Sequence, residues 1–503
     1  MDSSATMAIN PNKLLKQQFV SNLAGSSMLE ILSLTTVIPV IVLFRRSIVF
    51  NYVPGFEASL KLSKKDDNVT KTAKSFSAYM SSMALDFMFI LIPSLLILTV
   101  LSGWTNILAL VLTLFLLIHI LVKRYSTSDS KQILQTHDSI KRSISSFRVI
   151  TMLLTCICIL AVDFEIFPRR YAKAETYGTG WMDLGVGSFV LANAIVSRQA
   201  RNIHSSGLKT VLKSTCPLIL LGLGRLVSTA GVDYQVHVGE YGVHWNFFFT
   251  LAGVALLTSA INIHPKYCGI FGLLILIGYQ VFLLQGLNTY LLSDVRGQDI
   301  ISQNKEGVYS IFGYWGMYLV GVQMGYHLFF QKDHSTSDGL RQTRTRVFLV
   351  SLVFWLLTVV LDQYVERVSR RMCNMAYVML VMAVNFEVLA IFMLSEYSGG
   401  TNFTVLEAAF DKNLLASFLL ANVLTGLVNL SLDTLFVFSI QALVILTLYM
   451  LVLCFIMGAA DFRVQIGIHW FYPAHITSSK KLPVRFGPHK APSLSATCTC
   501  FFG

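Results

Sequence analysis

The sequence predicts an all-α fold, a polytopic transmembrane helix bundle of about 13 helices, and three observations carry that expectation. Of 503 residues, 54% are hydrophobic and only 13% are charged, whereas a soluble domain usually carries about 25% charged residues. The mean hydropathy is +0.62. The apolar residues are also gathered into blocks near the roughly 20 residues that a helix needs to cross a bilayer core. One such block fits a buried core helix; a long series of them does not.

Thirteen blocks stand out, at about 28–44, 80–101, 105–122, 149–162, 179–196, 211–228, 245–262, 267–285, 311–330, 347–361, 374–395, 414–430 and 434–457. The segment before them, MDSSATMAINPNKLLKQQF, is polar and lacks an apolar h-region, so residues 1–27 read as an N-terminal segment and the first block directs insertion. The fourth block is short. The fifth, TGWMDLGVGSFVLANAIV, is weak because it contains Asp183. Residues 28–457 read as one transmembrane domain and 458–503 as a tail, with no 20–50-residue repeat and no soluble domain. The longest polar stretches are about 45–79, 123–148 and the tail.

An odd number of crossings puts the termini on opposite sides. The odd-numbered loops and the tail hold most of the 39 Lys and Arg, so the positive-inside rule puts the N-terminus in the lumen and the C-terminus in the cytosol. The sequons Asn68-Val-Thr70 and Asn402-Phe-Thr404 then face the cytosol and are expected to carry no glycan.

Composition also excludes several classes. A net charge of +12 points to nucleic acid only when the basic residues form a soluble patch, and here they sit between apolar blocks. The eight cysteines lie mostly in or beside apolar blocks and form no paired CxxC elements, so neither a zinc site nor a disulfide framework is expected. No GxSxG elbow, HExxH, P-loop or Rossmann fingerprint occurs in a credible context, which disfavours soluble hydrolase, metalloprotease and ATP-driven readings. The ending Cys500-Phe-Phe-Gly503 has the form of a prenylation box, but a terminal Gly is atypical, and it reads as coincidence.

Ionisable groups at apolar boundaries are costly and so mark candidate chemistry. The most informative run follows the fourth block: AVDFEIFPRRYAKAETYGTGWMDLGVGSF. Asp163 ends an apolar helix, Phe167-Pro168 turns the chain, and Arg169, Arg170, Lys173 and Glu175 follow. Desolvation should push the Asp163 carboxyl up unless a cation such as Lys173 compensates, which would make a poised general base. The plainer reading is an interfacial carboxylate beside snorkelling basic residues. A second run, EYGVHWNFFF, opens the seventh block with Glu240, His244, Trp245 and Asn246. It reads first as an aromatic-belt anchor and second as an acyl-transfer base at His244. A third, VERVSRRMCN, sets Glu366, Arg367, Arg370 and Arg371 between blocks ten and eleven. These arginines suit a phosphate clamp, or else pair locally with Asp362 and Glu366. The charge-derived topology gathers the groups of all three runs at lumenal helix ends. The deeper polar groups Asp86, His119, Asp183, Asn193, His327, Asn385 and Glu387 line a cavity or satisfy neighbours.

These runs, in order, resemble the inositol acyltransferases of GPI-anchor synthesis (the PIG-W/GWT family). The likeness begins at KQQFVSNLAGSSMLEI (16–31) and runs through FRVITMLLTCICILAVDFEIFPRRYAKAETYGTGWMDLGVGSFV (147–190) and YGVHWNFFFT (241–250). It continues with NKEGVYSIFGY (304–314), VSRRMCNMAYV (368–378) and NVLTGLVNLSLDT (422–434), reaching about residue 457. The resemblance implies a multi-pass endoplasmic reticulum enzyme whose partners are glucosaminyl-phosphatidylinositol, acyl-CoA and the lipid bilayer. It would transfer a fatty acyl group, typically palmitoyl, from acyl-CoA as co-substrate to the inositol 2-hydroxyl, with no cofactor or metal. By the same resemblance Asp163 matches the family's catalytic aspartate and Lys173 its partner lysine. Arg169, Arg170, His244, Trp245, Asn246, Arg370 and Arg371 are assigned here to substrate binding on chemical type alone. Two features depart from the family pattern. The segment from about 458 is unlike the usual ending, and acyl-CoA is cytosolic while the clustered motifs face the lumen.

Two other readings make distinct demands. A histidine-based membrane O-acyltransferase would need His244 more than Asp163. A lipid or solute transporter would use the intramembrane polar groups and is expected to show repeated halves with broken helices; no such symmetry is visible.

Overall fold

A computed structural model describes residues 19, 21, 23–48, 69–126, 136–203, 207–230, 238–330, 337–398 and 403–465. Every one of the thirteen apolar blocks lies on a helix. In chain order these are α1 (Met28–Ser47), α2 (Val69–Asp86), α3 (Thr105–Ser126), α4 (Thr136–Ala161), α5 (Asp183–Val196), α6 (Gly207–Ala230) and α7 (Phe247–Ile261). They continue with α8 (Pro265–Phe282), α9 (Lys305–Gly325), α10 (Ser337–Tyr364), α11 (Met375–Phe392), α12 (Leu414–Ser431) and α13 (Ser439–Gln465). Among the described residues the only extended pairing is two isolated parallel bridges, Gly25 with Thr179 and Gly178 with Ser369. The all-α expectation holds.

Nine helical stretches among the described residues are long and apolar enough to cross a membrane. The other four blocks differ for physical reasons. Helices α5 and α7 are apolar but have 14 and 15 residues, or about 21 Å at the 1.5 Å rise of an α-helix, short of a roughly 30 Å hydrocarbon core. Helices α6 and α9 are long enough, at 24 and 21 residues, but are less apolar: α6 carries Lys213 and Arg225 along with Pro217, and α9 is rich in Gly and Tyr along KEGVYSIFGYWGMYLVGVQMG. Asn68, Asn402 and the tail from residue 466, with its Cys500, lie outside the described residues.

The chain divides into two compact units. The first comprises Met1–Ile31, Pro168–Lys332 and Leu349–Asn385. Within it α9 packs against α8, α5 and α7, and α7 also packs on α6. Helices in lipid gain little from burying apolar surface against one another, so small residues that let backbones approach carry the contact. A Cβ on Gly272 of α8 would stand 2.7 Å from the Gly316 carbonyl oxygen of α9, and one on Gly316 would stand 2.6 Å from Leu276. Neither position has room for a side chain. Helix α8 runs on through a π turn at Leu283–Leu287, where Gly286 takes φ 118°, and ends at Leu292.

The second unit comprises Leu32–Phe167, Asp333–Phe348 and Phe386–Gly503. Helix α4 packs on α12, and a short helix, Val405–Asp411, packs on α4 and α13. Thr404 and Glu407 form a reciprocal capping box at the start of that short helix. The buried Arg46 donates to Glu407 and Ser146, and its guanidinium lies 5.5 Å from the centroid of the Phe392 ring. Asp86 is paired with Arg45 at 2.7 Å and accepts the Leu406 N–H at 3.0 Å. Glu387 accepts hydroxyl donors from Thr35 and Thr36 at 3.0 and 2.7 Å. Asp86 and Glu387 are thus satisfied by their neighbours in the bundle.

Candidate active site

In the second unit, α4 ends at Ala161 and the chain leaves it through tight turns. The Phe164 N–H bonds the Ala161 carbonyl, and the Phe167 N–H bonds the Phe164 carbonyl, both within 3.2 Å. Phe164 and Phe167 are fully buried and pin this turn from either side of Glu165, which is exposed. Asp163, between them and the helix, is half-buried. Its Oδ2 accepts a 2.8 Å hydrogen bond from Nδ2 of Asn429 on α12. An acceptor bond from a neutral amide orients a carboxylate oxygen without neutralising it.

In the first unit, the loop 168–182 is stitched to segments far away in sequence. Tyr171 is fully buried, and its hydroxyl donates to Glu30 at 2.7 Å. Glu175 N–H reaches the Leu23 carbonyl at 2.9 Å, Gly178 N–H reaches Val368 at 2.8 Å, and Ser26 N–H reaches Thr179 at 2.8 Å. Gly178 takes φ +100° as it passes between them, a conformation that disfavours a side chain. The motif around 16–31, the KAETYGTG stretch and the VSRRMCN stretch are thereby joined.

The loop also closes a chain of charges. Lys173 Nζ lies 2.6 Å from Glu240 Oε1, in the short helix Val238–Tyr241. Arg370 Nη1 approaches the same oxygen at 3.3 Å, and Arg370 Nε pairs with Asp183 Oδ1 at 2.6 Å. The other oxygen of Asp183 accepts the N–H groups of Ala174 at 2.9 Å and Gly180 at 2.7 Å. Burial pushes the Glu240 carboxyl up, but the charges of Lys173 and Arg370 outweigh it and hold that group at about 2. Asp183, Arg370 and Glu240 are buried or nearly so, while the Lys173 side chain is 38% exposed. Lys173 is the accessible end of the chain.

A second buried cluster adjoins it in sequence. Glu306, at the start of α9, is fully buried and pairs with Arg296 at 2.6 Å and Arg371 at 3.0 Å. Lys305 is also buried, and its ammonium donates to the carbonyls of Tyr290, Ser293 and Val295 at 2.7, 2.7 and 3.0 Å.

The remaining residues marked from sequence take varied positions. Arg170 pairs with Glu30 at 2.9 Å and is 41% exposed. The Arg169 guanidinium stacks 3.9 Å from the Phe19 ring centroid. His244 is exposed, and its backbone N–H donates to Asn304 at 2.8 Å. Trp245 Nε1 donates to Thr250 at 3.0 Å. Asn246 is the N-cap of α7: its oxygen accepts the Phe248 N–H and its Nδ2 donates to the Gly222 carbonyl at 3.0 Å. Arg370 and Arg371 bind carboxylates, but those of Asp183, Glu240 and Glu306 rather than Asp362 or Glu366. Glu366 instead accepts from Gln280, Asn288, Asn374 and Tyr177 at 2.7 to 3.1 Å.

Sequence reading overlooked three partners. Asn429 stands inside an apolar helix, and its polarity in NVLTGLVN was the available signal. Glu240 was visible as a charge but not as the partner of Lys173, and Glu306 was visible only as part of NKEG.

Residues 12–460 match the model of a family described as GWT1. An uncharacterized protein of Arabidopsis thaliana is 54% identical over 433 residues, covering 84% of this chain and 97% of that protein. The phosphatidylinositol-glycan biosynthesis class W protein of Dictyostelium discoideum is 31% identical over 89% of this chain and 97% of its own length. The glucosaminyl-phosphatidylinositol-acyltransferase PIGW of Bos taurus is 32% identical over 88% of this chain and 97% of its own.

Proposed function

Because the chain belongs to the GWT1 family, we propose that it is an acyl-CoA-dependent O-acyltransferase of the endoplasmic reticulum membrane, acting in GPI-anchor biosynthesis. It transfers a fatty acyl group, palmitoyl in the first instance, to the inositol 2-hydroxyl of glucosaminyl-phosphatidylinositol. One observation carries this reading: near-full-length likeness to a relative named glucosaminyl-phosphatidylinositol-acyltransferase, with a family match over residues 12–460, a range that includes Asp163 and Lys173. The distribution of Lys and Arg supports a lumenal N-terminus and a cytosolic C-terminus.

The residues supply the chemistry as follows. Asp163 takes the proton of the inositol 2-hydroxyl while that oxygen attacks the thioester carbonyl. The resemblance gives Lys173 the stabilisation of the oxyanion that develops on the carbonyl oxygen, since a charge placed in advance costs no reorganisation at that moment. Collapse of the tetrahedral intermediate breaks the carbon–sulfur bond. The proton held by Asp163 goes to the departing thiolate, leaving free CoA and an inositol ester. Arg170 and Arg169, at the same loop, are the phosphodiester contacts, with His244 and Trp245 at the neighbouring helix end. Arg370, Arg371 and Asn246 are buried and already engaged, so they hold the loops that carry these groups.

The test uses microsomes supplied with labelled palmitoyl-CoA and glucosaminyl-phosphatidylinositol. Wild type should give an inositol-acylated product. Asp163→Ala and Lys173→Ala should each lose roughly 10²-fold or more of the turnover at normal protein levels, the usual weight of a general base or an oxyanion donor. Full activity in both variants rejects the site, and no product from wild type rejects the reaction. Loss in His244→Ala with Asp163→Asn still active would move the base to the histidine.

A further inference from the structure

The four charges of the loop cluster form a closed circuit, and its closure bears on how the accessible lysine is held. Starting at Lys173 Nζ, the path runs 2.6 Å to Glu240 Oε1, 3.3 Å on to Arg370 Nη1, and from Arg370 Nε 2.6 Å to Asp183 Oδ1. Asp183 Oδ2 then returns to the N–H of Ala174, the residue next to Lys173, at 2.9 Å. The head of the lysine and the backbone that bears it are therefore fixed by one ring. We propose that Glu240 is a positioning residue for the acyl transfer, aiming Lys173, with Arg370 and Asp183 locking Glu240 in place. The proposal rests on the reading of Lys173 as the oxyanion donor.

Three features separate this ring from an ordinary surface ion pair. Lysine has a long flexible stem whose rotamer freedom defeats precise aim unless a partner fixes the head. Exposed pairs seldom supply such a partner, since solvent screens them. Here the partner is only 17% exposed, and the residues behind it are 4% and 0% exposed. The ring also balances two cations against two anions. Beyond the circuit, Arg225 on α6 reaches Glu240 with its positive charge, the Arg371 guanidinium lies against Gly239, and Arg296 Nη2 donates to the Val238 carbonyl at 3.4 Å. Both of those last two arginines pair with Glu306. The remaining titratable neighbours are neutral near pH 7: Tyr241 lies under the Arg370 guanidinium at 5.9 Å, Tyr377 donates to the Asp183 carbonyl at 2.7 Å, and burial pushes the Tyr241 hydroxyl up. Removing the charge of Glu240 would leave Asp183 paired with Arg370 but take from the Lys173 ammonium the carboxylate that holds its head.

That consequence supplies a readout that loss of fold cannot mimic. In purified full-length enzyme, kcat and KM are measured for wild type, Glu240→Gln, Glu240→Asp and Lys173→Ala. Glu240→Gln is expected to lower kcat at least tenfold with KM for glucosaminyl-phosphatidylinositol little changed, because a misaimed oxyanion donor slows the chemical step without weakening substrate binding. Glu240→Asp keeps the charge but shortens the reach, so it should recover most of that loss and leave kcat only several-fold below wild type. A Glu240→Gln enzyme with the wild-type kcat overturns the proposal, as does one whose only defect is a lower melting temperature. If Glu240→Gln does not accumulate, a wild-type kcat in Glu240→Asp overturns it equally. Full activity in Lys173→Ala would instead remove the premise, and the two failures are distinguishable because they fall on different residues.

Discussion

Two cations meet at one oxygen of Glu240, and that sharing sets how the loop responds to acid. Lys173 and Arg370 hold the carboxyl at about 2, against an ordinary value of 4.5. A carboxyl held lower in the folded protein contributes stability above its unfolded value, and that contribution is lost as pH falls through the folded one. The Glu240 contribution should therefore be constant above about pH 5 and fade between pH 4.5 and 2. Thermal unfolding in detergent across that range checks this: the difference in melting temperature between wild type and Glu240→Gln is expected to shrink as pH drops towards 2. At this scale the sequence was readable in part. Asp163 and Lys173 are conspicuous as charges where an apolar block gives out. Their partners were not, because Glu240 stands 67 residues from Lys173 and Asp183 stands 187 from Arg370. Charge in a loop tells that a partner is needed, not which of the distant candidates the fold brings up.

Helix by helix, hydropathy located all thirteen segments, since a run of apolar residues in lipid must satisfy its backbone internally and the helix does so. Nine of the described stretches are long and apolar enough to cross a membrane. The fifth block shows how a boundary shifts: it was drawn from 179, whereas the helix begins at Asp183, whose carboxylate faces back to the loop. The glycines of α8 and α9 make a sharper case, because spacing alone did not distinguish those at contacts from those facing open space. Gly316→Leu should destabilise by about 1–3 kcal/mol or more through overpacking against Leu276. Gly278→Ala, where a Cβ would meet nothing within 4 Å, should be neutral or stabilising by up to about 1 kcal/mol from helix propensity. Melting temperatures of the two purified variants check both.

For the whole molecule, the loop charges carry a prediction about sidedness. On the proposed topology, with the N-terminus lumenal, neither Asn68 nor Asn402 would meet the glycosylation machinery. Glycosidase treatment of protein from a eukaryotic membrane should cause no mass shift that maps to either asparagine, and a shift at Asn68 would invert the topology. By itself the sequence determined the class of the protein, the order of its helices and the family it resembles, because hydropathy and long motifs are properties of contiguous residues. Tertiary structure decided which charges meet: that Arg370 and Arg371 are neutralised inside the fold, that Asn429 attends Asp163, and that Lys173 is the exposed end of a buried circuit. Those outcomes depend on distance in space, and an ion pair between residues a hundred or more positions apart leaves no periodic trace along the chain.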